Sequence, residues 1–301
     1  MKILVTGGAG LVGMTLRQTL QRAGHQVTAI DVTDFGRGDT SLTIMGLDDA
    51  GPLDALVTQN GIEAIIHCGG ISGPMLAAGK PMLLVDVNIT ATARLLDIAR
   101  RHGMKRFVFC SSVSAYGDVG PGTITETTPL HPTSVYGASK VAGEALVDGF
   151  ATEYGLDGIS LRIARVYGPY RRANCYLGDI IRNTEKGLPT EIPCEDDFKY
   201  HYIHVDDVAD ALLTVLEAKS LPSRAYNVSN LEMTMPQIAE IARRTIAGAR
   251  VNLVAGADDV PDVQSAFDIT KIDRELGWRP RLDLAAGLLA YRDAIRSGNA
   301  A

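Results

Sequence analysis

Residues 3–13 read Ile-Leu-Val-Thr-Gly-Gly-Ala-Gly-Leu-Val-Gly, an apolar run that passes directly into glycines and then into a helical pattern. A strand that turns this tightly into a helix needs φ > 0 at the turn and close approach of backbone to whatever lies above it. Both requirements are met by residues without a Cβ. Gly7, Gly10 and Gly13 are spaced G-x-x-G-x-x-G, and Gly8, Gly10 and Gly13 also satisfy G-x-G-x-x-G. Short apolar runs then recur at Val27–Ile30, Ala64–His67, Phe107–Ser111 and Ile159–Arg162, with helical patterns at Leu11–Ala23, Pro81–His102 and Ser134–Tyr154. Strands without polar alternation are buried on both faces, as in a parallel sheet covered by helices. The rhythm predicts a doubly wound α/β domain over residues 1–165.

After Gly168-Pro169 the rhythm loosens. Helices are expected at Leu177–Lys186, near Asp206–Glu217 and at Met235–Ala247, a strand near Ala225–Val228, and irregular chain over Gly187–Tyr202. Residues 166–301 therefore read as a smaller C-terminal α/β substrate lobe, packed over the strand ends and expected to share strands with the first. Trp278 reads as a packing anchor for that lobe.

Composition narrows the function. The net charge of −6, with no basic stripe, argues against a nucleic-acid partner. The four cysteines, Cys68, Cys110, Cys175 and Cys194, show no C-x-x-C or metal-ligand spacing, which fits reduced thiols and no metal. His201 and His204 lack an evident third ligand and read as core or strand-edge residues. The N-terminal apolar stretch is too short for a signal-peptide core, and no run approaches the roughly 18 apolar residues of a membrane span. The expectation is a soluble cytoplasmic protein with no membrane contact.

A helix N-terminus reached through glycines, here at Gly10, Leu11, Val12 and Gly13, offers unpaired N–H groups and a positive dipole to a pyrophosphate. About 20 residues on, the second strand ends at Asp31, where an acid would bind a ribose diol and repel a 2′-phosphate. The expected cofactor is NAD, with Arg37 leaving NADP as a minor alternative. Tyr136 and Lys140 lie four residues apart at the start of a helical pattern, hence on one face. A neighbouring ammonium would help a phenol act as a base near neutral pH. Upstream, Ser111-Ser112-Val113-Ser114 closes the fourth strand, where a hydroxyl would point into the ligand crevice.

Taken together, these residues resemble the extended short-chain dehydrogenase/reductases, the superfamily of NAD-dependent sugar epimerases and dehydratases. The likeness covers essentially the whole chain. It is carried by Thr6–Gly13, Asp31, Asn88, Ser111–Gly117, Tyr136-Gly-Ala-Ser-Lys140, Val166-Tyr-Gly-Pro169, His204-Val-Asp-Asp207 and Leu276-Gly-Trp-Arg-Pro280. The resemblance implies a Rossmann-type fold, Ser112, Tyr136 and Lys140 as catalytic residues, and Ser114 as a second hydroxyl. It places Cys68, Gly69, Gly70 and Asn88 along the cofactor, although alanines are commoner in the segment after the third strand. It also implies a homodimer paired through the helices at Pro81–His102 and Ser134–Tyr154.

The departures concern substrate. Nucleotide-sugar epimerases of the family usually carry a diphosphate-clamping Arg just before the segment matching Tyr202–Val205, where this chain has Lys199, Tyr200 and His201. A second usual Arg is missing from Ala255–Phe267. Arg165 stands where relatives have Asn, and Arg171 and Arg172 follow Gly168-Pro169-Tyr170. Three guanidinium groups there would suit a carboxylate. The leading expectation is an NAD-dependent dehydrogenase acting on a secondary carbinol of a small sugar, sugar acid or polyol carboxylate. The alternative is a UDP-hexose type 4-epimerase. A non-catalytic NAD-binding regulator is disfavoured because Tyr136 and Lys140 are both present. Dehydratases of the family place an Asp-Glu pair where Val113 and Ser114 stand, so dehydration is not expected.

Overall fold

A computed structural model of the chain describes every residue except 74–78, 174, 196, 258–261, 299 and 301. The first half alternates β1 (Lys2–Thr6), α1 (Leu11–Arg22), β2 (Gln26–Asp31), β3 (Leu42–Ile44), α2 (Ala50–Asn60) and β4 (Ala64–His67). Next comes α3 (Pro81–Leu84), which runs through a π-helical turn (Val85–Thr90) into α4 (Ala91–Arg101). Strand β5 (Arg106–Ser112), a 3-10 turn (Val113–Ala115), α5 (Val135–Tyr154) and β6 (Gly158–Ile163) complete this half. Local chemistry sets the helix ends. Ser134 Oγ accepts from Gly137 N to start α5, and Gly155 at φ 69° stops it.

Seven parallel strands form one sheet in the order β3-β2-β1-β4-β5-β6-β10, with β10 (Ala225–Val228) supplied by the second half of the chain. The order reverses between β1 and β4, which opens a crevice at the carboxyl ends of these strands. Both sheet faces are covered. Ile3, Leu4 and Val5 of β1 are fully buried, as are Ala64, Ile65 and Ile66 of β4. Complete burial of each large aliphatic side chain among them contributes roughly 1.5–3 kcal/mol. This strand order, with helices on both faces, is the doubly wound Rossmann-type arrangement.

The second half adds β7 (Arg165–Tyr167), α6 (Tyr176–Glu185), β8 (Thr190–Cys194), β9 (Lys199–His204), α7 (Val205–Glu217), β11 (Leu231–Thr234), α8 (Met235–Thr245), β12 (Val251–Ala255), α9 (Thr270–Leu276) and α10 (Leu284–Arg296). Strands β11-β9-β7 and β12-β8 make two small sheets, and α7 packs against α1 on the large one. Gly187–Tyr202 is not irregular, as its sequence suggested: β8 and the start of β9 occupy it. Strand β8 alternates buried with exposed or half-buried positions and carries Pro193, and β9 buries tyrosines and histidines after an exposed Lys199, so neither shows the continuous aliphatic signal of central strands. Trp278 is 2% exposed and joins the core beneath the large sheet, with Ile203, Tyr226 and Ile272, rather than the core of the C-terminal lobe. No described helix is long and apolar enough to cross a membrane.

His67 closes β4 and is buried at 1% exposure. Its Nδ1 accepts from Thr6 Oγ1 (2.7 Å), which in turn accepts from Gly69 N (3.0 Å). Nε2 bonds Thr92 Oγ1 (3.0 Å), whose own proton goes to Asn88 O (2.6 Å). These partners are satisfied by a neutral imidazole. Burial, with the Lys140 cation adding to it, pushes the His67 pKa down to about 3. The unfolded imidazole protonates near its ordinary pKa of about 6.5. Stability from this group is therefore complete above about pH 6.5 and is lost as pH falls toward about 3. Urea unfolding at pH 7 and pH 5 should show a loss of about 2 kcal/mol from His67 alone. Buried His201 and His204, also lowered by desolvation, act in the same direction. His67→Asn should be less stable at pH 7 yet show a shallower fall between the two pH values; an unchanged fall would contradict this account.

Candidate active site

The crevice at the strand-order reversal holds a cavity of about 1210 Å³. One end is built by the β1–α1 turn. Gly7 lies at φ 68°, and a Cβ there would sit 2.7 Å from Gly69 N. A Cβ on Gly13 would sit 2.1 Å from Gly7 O, so α1 reaches the turn only because that position is bare. Gly10 caps α1 without a side-chain hydrogen bond, and the first turn carries no acid. Gly7, Gly10, Leu11, Val12 and Gly13 all line the cavity, which suits a pyrophosphate on the open N–H groups.

Asp31 lies beside this turn, its Oδ2 accepting from Ala9 N (3.0 Å) and its Oδ1 from Val32 N (2.8 Å). Each carboxylate oxygen keeps a second lone pair with which to accept from a ribose diol. Cys68, Gly69 and Gly70 form the facing wall. The Cys68 thiol is 3.4 Å from that of Cys110, and this contact together with burial raises its pKa. Asn88 is 3% exposed and does not line the cavity. Its amide accepts from Ile71 N (2.8 Å) and donates to Ile71 O (3.1 Å) and Ser139 Oγ (3.1 Å), so it shapes the wall from behind.

At the other end β5 delivers Ser112, and α5 delivers Tyr136 and Lys140, each 8% exposed. Lys140 Nζ donates to Cys110 O (2.8 Å) and lies 5.0 Å from the Phe109 ring centroid and 5.7 Å from that of Tyr136. Ser112 Oγ accepts from Ser114 N (3.2 Å), which leaves its proton available to a substrate oxygen. The approach of α5 depends on two of its glycines, Gly137 within the Tyr136–Lys140 motif and Gly143 beyond it. A Cβ on Gly137 would meet Ser114 O at 2.3 Å, and one on Gly143 would meet Phe109 Cζ at 2.4 Å. The presence of both within the helix that carries Tyr136 was the available signal. Hydroxyl, phenol and ammonium thus share one wall, a set able to move a proton at a carbinol oxygen.

The three arginines separate. All three line the cavity, Arg165 with its guanidinium 5.7 Å from the Tyr202 ring centroid. Arg171 turns back on its own loop, Nη1 donating to Val166 O (2.6 Å). Arg172 stacks on Phe35 at 3.8 Å, while Arg37 lies 5.3 Å from the Tyr170 ring centroid and donates to Ala9 O (3.0 Å). Arg172 is therefore placed at the Asp31 end of the cavity, away from Ser112 and Tyr136. Phe35 and Tyr170, absent from the sequence-based candidates, make a two-loop clasp with Arg172 and Arg37. Lys199, His201, Asp262 and Gln264 line the far end beyond Tyr136. His201 Nε2 donates to Gln264 O (3.0 Å), and His204 caps α7 through Asp206 N (3.2 Å).

Residues 3–229 match the NAD dependent epimerase/dehydratase family. The chain belongs to this family. A dTDP-glucose 4,6-dehydratase of Streptomyces niveus is 31% identical, across 97% of this chain and 93% of its own. The UDP-glucose 4-epimerase of Thermotoga maritima, solved with UDP-glucose, superposes with a TM-score of 0.90 at 25% identity, covering 99% of each chain. The UDP-glucose 4-epimerase of Thermus thermophilus in complex with NAD gives 0.86 at 26% identity, over 98% of this chain and 99% of the other. The cofactor of this epimerase/dehydratase family member is NAD, and the bare glycine cradle beside Asp31 fits it. Gly13→Ala should weaken NAD binding by at least about tenfold in titration calorimetry, because the methyl group forces α1 off the turn. Unchanged affinity would show that the cradle tolerates it.

Proposed function

We propose that the chain inverts a secondary carbinol of a nucleotide-linked hexose, as a UDP-hexose type 4-epimerase. The observation that carries this reading is the cavity itself. It runs unbroken from the glycine turn, past Ser112, Tyr136 and Lys140, to Lys199 and His201. Bound NAD supplies a hydride acceptor and donor. Tyr136 as the phenolate takes the carbinol proton and as the phenol later returns it, with the Lys140 ammonium 5.7 Å from the ring centroid to offset the phenolate charge. Ser112 donates its free proton to the same substrate oxygen. Epimerisation requires the sugar ring to present either face, and the cavity volume of about 1210 Å³ supports that. Dehydration has less support, since Val113 and Ser114 stand where the family's dehydratases carry an acid pair.

The sugar-acid dehydrogenase keeps one argument. Arg165 and Lys199 line the cavity, and the two usual diphosphate arginines are absent from Lys199–His201 and Ala255–Phe267. The other two arginines also line the cavity but support it less, because Arg171 commits Nη1 to Val166 O and Arg172 stacks on Phe35. The family likeness also supports a homodimer paired through α4 and α5, which sedimentation equilibrium would show as twice the chain mass.

Purified protein should interconvert UDP-glucose and UDP-galactose, or their uronic-acid counterparts, by chromatography without net accumulation of reduced cofactor. Growth of the near-ultraviolet absorbance of reduced nicotinamide with an aldonic or uronic acid would instead establish the dehydrogenase. Tyr136→Phe should reduce turnover by about 10²–10⁴-fold and leave NAD affinity nearly unchanged; loss of both would indicate damage to the fold.

A further inference from the structure

Behind Ser112, Tyr136 and Lys140 lies a buried charged network that reaches the cavity only through Ser111. Glu144 sits on the face of α5 that carries Tyr136 and Lys140, four residues past the lysine, and is 5% exposed. Its Oε1 accepts from Ser111 Oγ, the residue next to Ser112. Arg162 of β6, 6% exposed, grips the same carboxylate with Nε at 3.1 Å from each oxygen and Nη2 at 2.7 Å from Oε2. Its remaining arm, Nη1, donates to Tyr116 OH (2.9 Å) and Glu126 O (3.0 Å), and Tyr116 OH donates to Asn227 Oδ1 of β10 (2.7 Å). One guanidinium fork therefore ties together α5, β5, β6, the chain that follows Ser112, and β10.

We infer that Glu144, Arg162 and Ser111 are positioning residues that set helix α5 against the end of strand β5, and with it Tyr136 against Ser112. The inference rests on the proposed proton-transfer roles of those two residues. A buried ion pair is a poor source of net stability, since desolvation of both charges offsets most of their attraction, and apolar residues of similar size often serve as well. What a bidentate fork supplies is one allowed geometry. Lys140 adds only a single ammonium contact on the Cys110 carbonyl, which lacks the direction of a fork. The tie from Glu144 to the adjacent Ser111 adds that direction to the close packing of α5 on β5.

Two variants test this. Ser111→Ala deletes only the hydroxyl tie. The double variant Glu144→Leu/Arg162→Met removes both charges together and leaves neither unpaired. Readouts are kcat and KM for UDP-glucose, NAD affinity, and the fluorine resonance of Tyr136 in protein labelled with 3-fluorotyrosine, assigned by its absence in Tyr136→Phe. NAD affinity and KM should stay within about twofold, while kcat falls about tenfold in Ser111→Ala and about 100-fold in the double variant, as for displacement of a reacting group by about 1 Å. The Tyr136 resonance should broaden or split in both. Wild-type kcat with an unaltered resonance in a folded double variant would overturn the inference. If the double variant does not fold, Ser111→Ala decides by the same two measurements. If the wild type turns over no UDP-hexose, the epimerase reading fails by itself, and the fluorine resonance alone decides whether the network positions Tyr136.

Discussion

Helix α5 lies so close to strand β5 that a single methyl group at Gly143 would sit 2.4 Å from the Phe109 ring, and one at Gly137 would overlap the Ser114 carbonyl. Much else in the molecule follows from that approach. Tyr136 and Lys140 come from the helix, Ser112 from the strand, and the three share a wall only because the two backbones are nearly in contact. Lys140 then commits one donor to the Cys110 carbonyl, which is reachable at 2.8 Å only at this separation. Close packing of this kind tolerates no added volume, so glycines decide where the reactive groups meet.

A second bare approach, between Gly13 of α1 and the Gly7 carbonyl, does the same for the cofactor end. The two approaches lie on either side of β4, whose last residues face both. His67 is held neutral there by Thr6 and Thr92, and the Gly69 amide is anchored on Thr6 Oγ1. Thr6, His67, Gly69 and Thr92 are thus engaged with one another behind the crevice, while Asp31, Ser112 and Tyr136 line it. Buried polar groups are costly unless partnered, and here the partners also fix the walls.

Much of this was legible in the residues. The alternation of unbroken apolar runs with helical patterns marked β1, β2, β4, β5 and β6 of the large sheet, and β10 was anticipated as a strand in the second half. The short edge strand β3 and the strands of the small sheets were missed, since half-exposed strands lose the apolar run that identifies central ones. Ser112, Tyr136 and Lys140 were found by type and spacing, and they line one cavity. The arginines were not resolved by spacing. Arg171 and Arg172 are adjacent in sequence, yet one bonds Val166 O and the other stacks on Phe35, from the chain between β2 and β3. Asn88 was placed along the cofactor by resemblance, whereas its amide is engaged by Ile71 and Ser139.

By itself the sequence determined the class of fold and the family, and it singled out the glycine turn with its acid and Ser112, Tyr136 and Lys140, which line one cavity. Each of these depends on local geometry: a turn that needs bare backbone, a helical spacing of four, a hydroxyl at a strand end. Only the tertiary structure decided which partners the arginines take, that β10 completes the first sheet, and that Glu144 and Arg162 meet behind Ser111. Those outcomes depend on contacts between residues far apart in the chain. No local pattern encodes such contacts, because they are selected by the packing of whole elements and by the requirement that every buried charge find its partner.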